Sequence, residues 1–158
     1  MNIVPRERAL ENLEFVKKGI FERLPEDNVC RRLGRKVIDF DYDNQTVTIE
    51  YDCEPWMVNA AGFVHGGMQS VCADQTTGCL AAVLCDSYAA TVSLSMSFLR
   101  PVPANGGLVV KAYAVHLGKT NAHIRAELAS KETGEILATA NAIHFVKGKT
   151  MQEAARHE

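Results

Sequence analysis

The sequence predicts an α+β domain: one antiparallel sheet wrapped around a long central helix, with an extra helix at the N-terminus. Three observations carry this. The stretch from about Gly67 to Leu84 is apolar most of the way round a helical projection, which marks a buried helix. Three other stretches alternate apolar and polar residues at the period of a strand, and three more read as strand-like after them. Short links rich in turn formers join the last four of these, Asn105-Gly-Gly, Gly118-Lys-Thr-Asn and Lys131-Glu-Thr-Gly, which argues a meander. One sheet with a helix packed on one face is the economical solution, and a single domain over residues 1–158 is expected.

Taken in order, Pro5 to Leu24, within an N-terminal segment 1–25, reads as an amphipathic helix. Leu10, Leu13, Ile20, Phe21 and Leu24 share a side, Val16 lies at its edge, Lys17 intrudes on the stripe and Phe15 falls outside it. Lys36 to Tyr42 sets Ile38, Phe40 and Tyr42 against Asp39 and Asp41. After the turn Asp43-Asn44-Gln45, Val47, Ile49 and Tyr51 alternate with polar residues, the pattern of a hairpin. Met68, Val71, Cys72, Cys79, Ala82 and Val83 then wrap much of the central helix, while Ala73, Gly78 and Ala81 keep it slim. Ala89 to Leu99, Leu108 to Leu117, His123 to Ser130 and Ile136 to Val146 supply the remaining strands. Residues 147–158 read as a polar tail that frays.

Composition removes several classes of function. A formal net charge of −2 gives no support to nucleic-acid binding. No apolar run approaches the roughly 20 residues of a membrane span, and the charged N-terminus lacks the apolar core of a signal peptide. An intracellular, cytoplasmic protein is expected. The five cysteines form no C-x-x-C pair and read as reduced core thiols rather than metal ligands or nucleophiles. His116, His123 and His144 lie on strands without metal spacing and read as structural, so no metal is expected. There is no G-x-S-x-G elbow, phosphate loop or dinucleotide fingerprint.

The chemistry concentrates between Asn59 and Asp74, N-A-A-G-F-V-H-G-G-M-Q-S-V-C-A-D. Two glycines opening a helix leave bare backbone N–H groups where the helix dipole favours a carbonyl oxygen or an anion. Asp74 projects from the same helix about two turns later, and a carboxylate on an otherwise apolar face needs a partner or a use.

These residues resemble the hotdog-fold acyl-CoA thioesterases, and most closely the phenylacetate-pathway (PaaI-like) type. The match rests on Asn59, Gly62, Val64-His65-Gly66-Gly67 and Asp74, with His65 six residues after Asn59 and Asp74 nine after His65. Phe98-Leu-Arg-Pro-Val-Pro and Gly118-Lys-Thr extend it downstream, so it covers about Val37 to Val146. The resemblance implies a hotdog fold, a homodimer as the functional unit, commonly paired into a homotetramer, and active sites shared between subunits. It implies hydrolysis of an acyl-CoA with no cofactor. Gly66 N–H would be the oxyanion donor, Asn59 would position thioester or water, and His65 would orient loop and substrate. Asp74 of the partner subunit would be general base or nucleophile, roles open to an ordinary, ionised aspartate. Thr91 would hold water, with Ser93 as the alternative; Gly67, Arg100 and Lys119 would contact substrate, the last two at the phosphates of CoA. The competing expectation is a non-catalytic acyl-CoA-binding module of the same fold. A hydratase would carry its Asp and His in the opposite order.

Overall fold

In the computed structural model, which describes residues 3–18 and 23–154, the element order matches the expected one. Helix α1 (Arg6–Lys17) and a single turn α2 (Val29–Arg32) precede β1 (Lys36–Asp41) and β2 (Thr46–Asp52). A 3-10 turn (Pro55–Met57) leads to α3 (Gly66–Cys85). Strands β3 (Ala90–Phe98), β4 (Gly107–Leu117), β5 (Asn121–Ser130) and β6 (Ile136–Phe145) follow, then a short helix α4 (Met151–Ala154). The six strands form one antiparallel sheet in the order β1-β2-β4-β5-β6-β3, which leaves β1 and β3 as its edges.

The sheet wraps α3 because its inner face is apolar and, at its centre, small. Val47, Ile49 and Tyr51 on β2 are fully buried, as the alternation of that strand requires. Ala112, Ala126, Ala140 and Met96 stand in one register row across β4, β5, β6 and β3. That row of alanines meets a helix whose own Ala73 and Ala81 are buried, so the two surfaces approach closely. Tyr51 ties the layers together: its hydroxyl lies 2.9 Å from Thr76 Oγ1 and 3.3 Å from the Cys72 carbonyl oxygen.

Several local expectations are corrected. α1 ends at Lys17, and Arg23 and Leu24 lie outside it; Ile20 and Phe21 fall outside the described residues. Its buried stripe is Ala9, Asn12, Leu13 and Val16, spaced i, i+3, i+4, i+7, and Leu10 is 46% exposed. The stripe is turned because Asn12 faces inward, donating from Nδ2 to the Val83 carbonyl of α3. On β1 the register shifts between Val37 and Asp39, so Ile38 is an extra, exposed residue, while Val37, Phe40 and Tyr42 pack against the core. On β3 a second shift between Thr91 and Ser93 extrudes Val92. The segment read as a fraying tail carries α4, with Met151 buried and the Lys149 carbonyl accepting from Tyr88 N–H.

Candidate active site

The site begins at the N-terminus of α3. His65 is the N-cap, and its Nδ1 accepts from Gly67 N–H at 2.9 Å. The loop is braced below it by His65 N–H donating to the Met57 carbonyl (2.7 Å) and Val64 N–H donating to the Val102 carbonyl (2.9 Å). Gly67 therefore has its donor occupied. Gly66 N–H has no acceptor among the described residues, so this one donor stands free at the positive end of a 20-residue helix. Gly66 is also close to its surroundings: a Cβ there would stand 3.2 Å from the Phe98 ring.

Asn59 is held just as specifically. Its Oδ1 accepts from Ala61 N–H (2.9 Å) and Phe63 N–H (3.2 Å), a local turn completed by Gly62 at φ +84°. With the oxygen committed, the amide presents its Nδ2 donors. Asn59 and Gly66 line one open cavity with Phe98 and Arg100, where the loop and the end of β3 meet. Arg100 reaches this cavity, but its Nε lies 2.6 Å from Glu135, which offsets its charge. Lys119 lines neither this cavity nor the next. It sits in the β4–β5 turn, beyond the row Leu117–Ala122–His144–Thr91.

Asp74 lies elsewhere. Thr91 Oγ1 donates to its Oδ1 at 2.6 Å, a charge-assisted bond across from helix to edge strand. The extruded Val92 makes this possible. Paired with inward-facing His144, Thr91 turns toward the helix, whereas Ser93 pairs with Ile143 and borders a depression on the outer face. That geometry selects Thr91 over Ser93 as the partner of Asp74. Behind it stands His144, fully buried, with Nε2 2.9 Å from Thr77 Oγ1 and Nδ1 3.5 Å from Thr91 Oγ1. Burial holds the His144 imidazole below its ordinary 6.5, against the opposing pull of the Asp74 charge and of a hydrogen bond to the Ala89 carbonyl.

His144 and Thr77 were not among the expected site residues. The available signal was the inward face of β6, where Ala138, Ala140 and Ala142 are followed by a histidine. Burial argues against Cys53, Cys72 and Cys85 as nucleophiles: it pushes the Cys72 thiol up to about 12 and those of Cys53 and Cys85 to about 11. Among the described residues no helix is long and apolar enough to cross a membrane.

One chain thus carries two half-sites. Gly66 and Asp74 are eight residues apart on a straight helix, roughly 12 Å along its axis, and they open into different cavities. A donor for a carbonyl oxygen and a base for its attacker must both lie about 3 Å from one reacting centre.

Four likenesses bear on this arrangement. The thioesterase superfamily profile matches residues 61–137, from the loop before α3 to the start of β6. Human acyl-coenzyme A thioesterase 13 is 28% identical over 95 residues, 58% of this chain, and the match spans 66% of that relative's length. Among solved structures, the Escherichia coli PaaI protein from the phenylacetic acid degradation operon superposes with TM-score 0.75 at 21% identity, covering 91% of this chain and 96% of that one. A Streptococcus mutans protein bound to acetyl CoA superposes with TM-score 0.68 at 22% identity, covering 82% and 97%. The two structures share this chain's fold.

Proposed function

We propose that the chain is a member of the thioesterase superfamily, whose profile matches residues 61–137, and that it hydrolyses acyl-CoA thioesters to free acid and CoA. The observation that carries this reading is a helix presenting an unpartnered N–H at one end and a strand-held carboxylate two turns later. Gly66 N–H, backed by the helix dipole and assisted by Asn59 Nδ2, stabilises the oxyanion as the carbonyl becomes tetrahedral. His65 keeps Gly67 N–H occupied and the loop in place. Asp74 acts as general base: Thr91 holds Oδ1, which leaves Oδ2 to take a proton from water as it attacks the carbonyl carbon. The tetrahedral intermediate then collapses with expulsion of the thiolate of CoA.

The two half-sites meet if two copies join at β3. This edge strand is exposed, and Val92, Phe98 and Leu99 are 62%, 52% and 54% accessible. At one end it holds Asp74 through Thr91; at the other its Phe98 lies against Gly66. Antiparallel pairing of β3 with itself, about a two-fold axis near Leu94 and Ser95, sets the Asp74 end of one copy beside the Gly66 end of the other. A homodimer is therefore the unit with complete sites, and pairing of dimers through the outer sheet face would give a homotetramer. Five free thiols suit a reducing compartment, the cytoplasm. Gly67 contributes its bare Cα beside substrate, and Arg100 is the candidate for the phosphates of CoA; Lys119 is the weaker one.

The test is thiol release from short, medium, long and aryl acyl-CoAs by wild type and Asp74→Asn. Turnover of at least one class, with a loss of about 100-fold or more in the folded variant, is expected. Single turnover in ¹⁸O-water should place label in the product acid and none in the protein; label in Asp74 would make it a nucleophile. Binding of acyl-CoA without turnover of any member would instead make this a binding module.

A further inference from the structure

Asp74 opens into a cavity of about 190 Å³ that runs along one face of α3, past Gln75, Gly78, Cys79 and Ala82, toward Val16 and Met151. A cavity of roughly 150 Å³ holds a benzene ring, so this one accepts a six-membered ring or a chain of about six carbons. Its walls beyond Asp74 are small or apolar except for Thr91, whose hydroxyl is committed to Asp74, Tyr88, which is 65% exposed, and two more. Arg35 borders it and donates from Nη2 to the Val16 carbonyl at 3.1 Å. Gln75 is the other, and its amide is anomalous: Nε2 and Oε1 are both buried and both without a hydrogen-bond partner. Buried side-chain amides are nearly always bonded at one end or the other. A methionine or leucine would fill the same wall without leaving polar atoms unpaired. Nothing anchors the Gln75 amide, so it can turn into the cavity without losing a hydrogen bond.

We infer that Gln75 is the specificity residue for the acyl group, and that the cavity takes a compact acyl chain carrying a hydroxyl group that bonds to the Gln75 amide. This rests on the reading of Asp74 as the group that serves the thioester, since the cavity then holds the acyl moiety. A hydroxyl fits because it both donates and accepts, matching Oε1 and Nε2 of one amide. A carboxylate would bring a second negative charge beside Asp74. A plain alkyl chain would leave both amide atoms unpaired, and sites built to bond a hydroxyl discriminate strongly against the analogue that lacks it.

The experiment compares hexanoyl-CoA with its 3-hydroxy and 6-hydroxy derivatives on the wild-type protein and on Gln75→Met, which is unbranched and close in shape. The expected result is a kcat/KM at least about tenfold higher for one hydroxylated derivative. In Gln75→Met that preference falls to near unity; Gln75→Leu serves if the methionine variant does not fold. Equal kcat/KM for all three on wild type, or a preference unchanged by the substitution, overturns the assignment. If none of the three is hydrolysed although another acyl-CoA is, the assignment of this cavity is overturned; if no acyl-CoA of any class is hydrolysed, the hydrolase reading fails separately. The same three compounds are then ranked by titration calorimetry, where tighter binding of a hydroxylated one, lost in Gln75→Met, upholds the role of Gln75. Equal affinities refute it.

Discussion

Thr91 shows how the Asp74 carboxylate, the proposed base, is held by a residue far from it in sequence, with His144 standing behind. Among the described residues the Thr91 hydroxyl is the one side-chain group that bonds Asp74, at 2.6 Å, so its removal should misplace the proposed base without emptying the substrate cavities. Thr91→Ala is expected to lower kcat by about tenfold or more with little change in KM, and Thr91→Ser to restore it. His144 acts through pH. Its imidazole sits below the ordinary 6.5 because it is buried, so between the folded value and about 6.5 the unfolded chain binds the proton that the folded chain refuses. Stability from this group is fully present above about pH 6.5 and is lost as pH falls toward the folded value. Thermal melting of wild type between about pH 8 and 5 should fall more steeply below 6.5 than that of His144→Gln; parallel curves would remove His144 as the cause. The resemblance nominated Thr91 as a residue that holds water, but its bond to Asp74 was not legible from sequence, and His144 read only as structural. Asn59, His65, Gly66 and Asp74 lie on one loop and helix, so their spacing is informative. Thr91 and His144 meet only through β3–β6 pairing, and a lone histidine on a strand looks like any buried one.

The elements that sequence pattern conveyed best are those whose surroundings are uniform along their length. α3 is enclosed nearly all round, and its apolar character says so directly. β2 lies inside the sheet with one face on the helix, and Val47, Ile49 and Tyr51 alternate cleanly. The edge strands were the harder part. Ile38 on β1 and Val92 on β3 are extruded where the register shifts, and a bulge depends on the partner strand as much as on its own residues. α1 was read with Leu10 in its buried stripe, whereas Asn12 is the buried residue there, with its amide on α3. The join between sheet and central helix can be tested at Tyr51, whose hydroxyl is buried on Thr76 and the Cys72 carbonyl. Tyr51→Phe leaves the ring packing intact and removes only that bond. It is expected to cost about 1 kcal/mol in urea unfolding with an unchanged m-value, and to leave kcat within about twofold, since the bond lies away from both half-sites. A loss well above that would mean the hydroxyl also positions α3.

For the whole molecule, the decisive feature is that the two chemical groups are too far apart on α3 to serve one thioester. On the proposed mechanism a complete site draws Gly66 from one copy and Asp74 from the other, and complementation separates this from any site contained in one chain. Gly66→Pro removes the free donor where proline is tolerated. Position 66 is the first residue of the helix, and His65 before it has the extended backbone, φ −58° and ψ 136°, that a following proline requires. Asp74→Asn removes the base. Each variant alone has every site broken. When the two are unfolded together and refolded as an equal mixture, about half of the dimers are mixed. Each mixed dimer holds one site with both groups intact and one with neither, so activity should return to about a quarter of wild type. The same variants mixed without refolding should recover it only as fast as subunits exchange. If each site lay within one chain, no mixture could exceed the sum of the two inactive parents. Recovery near a quarter would therefore establish both the shared site and the residues that each copy lends to it.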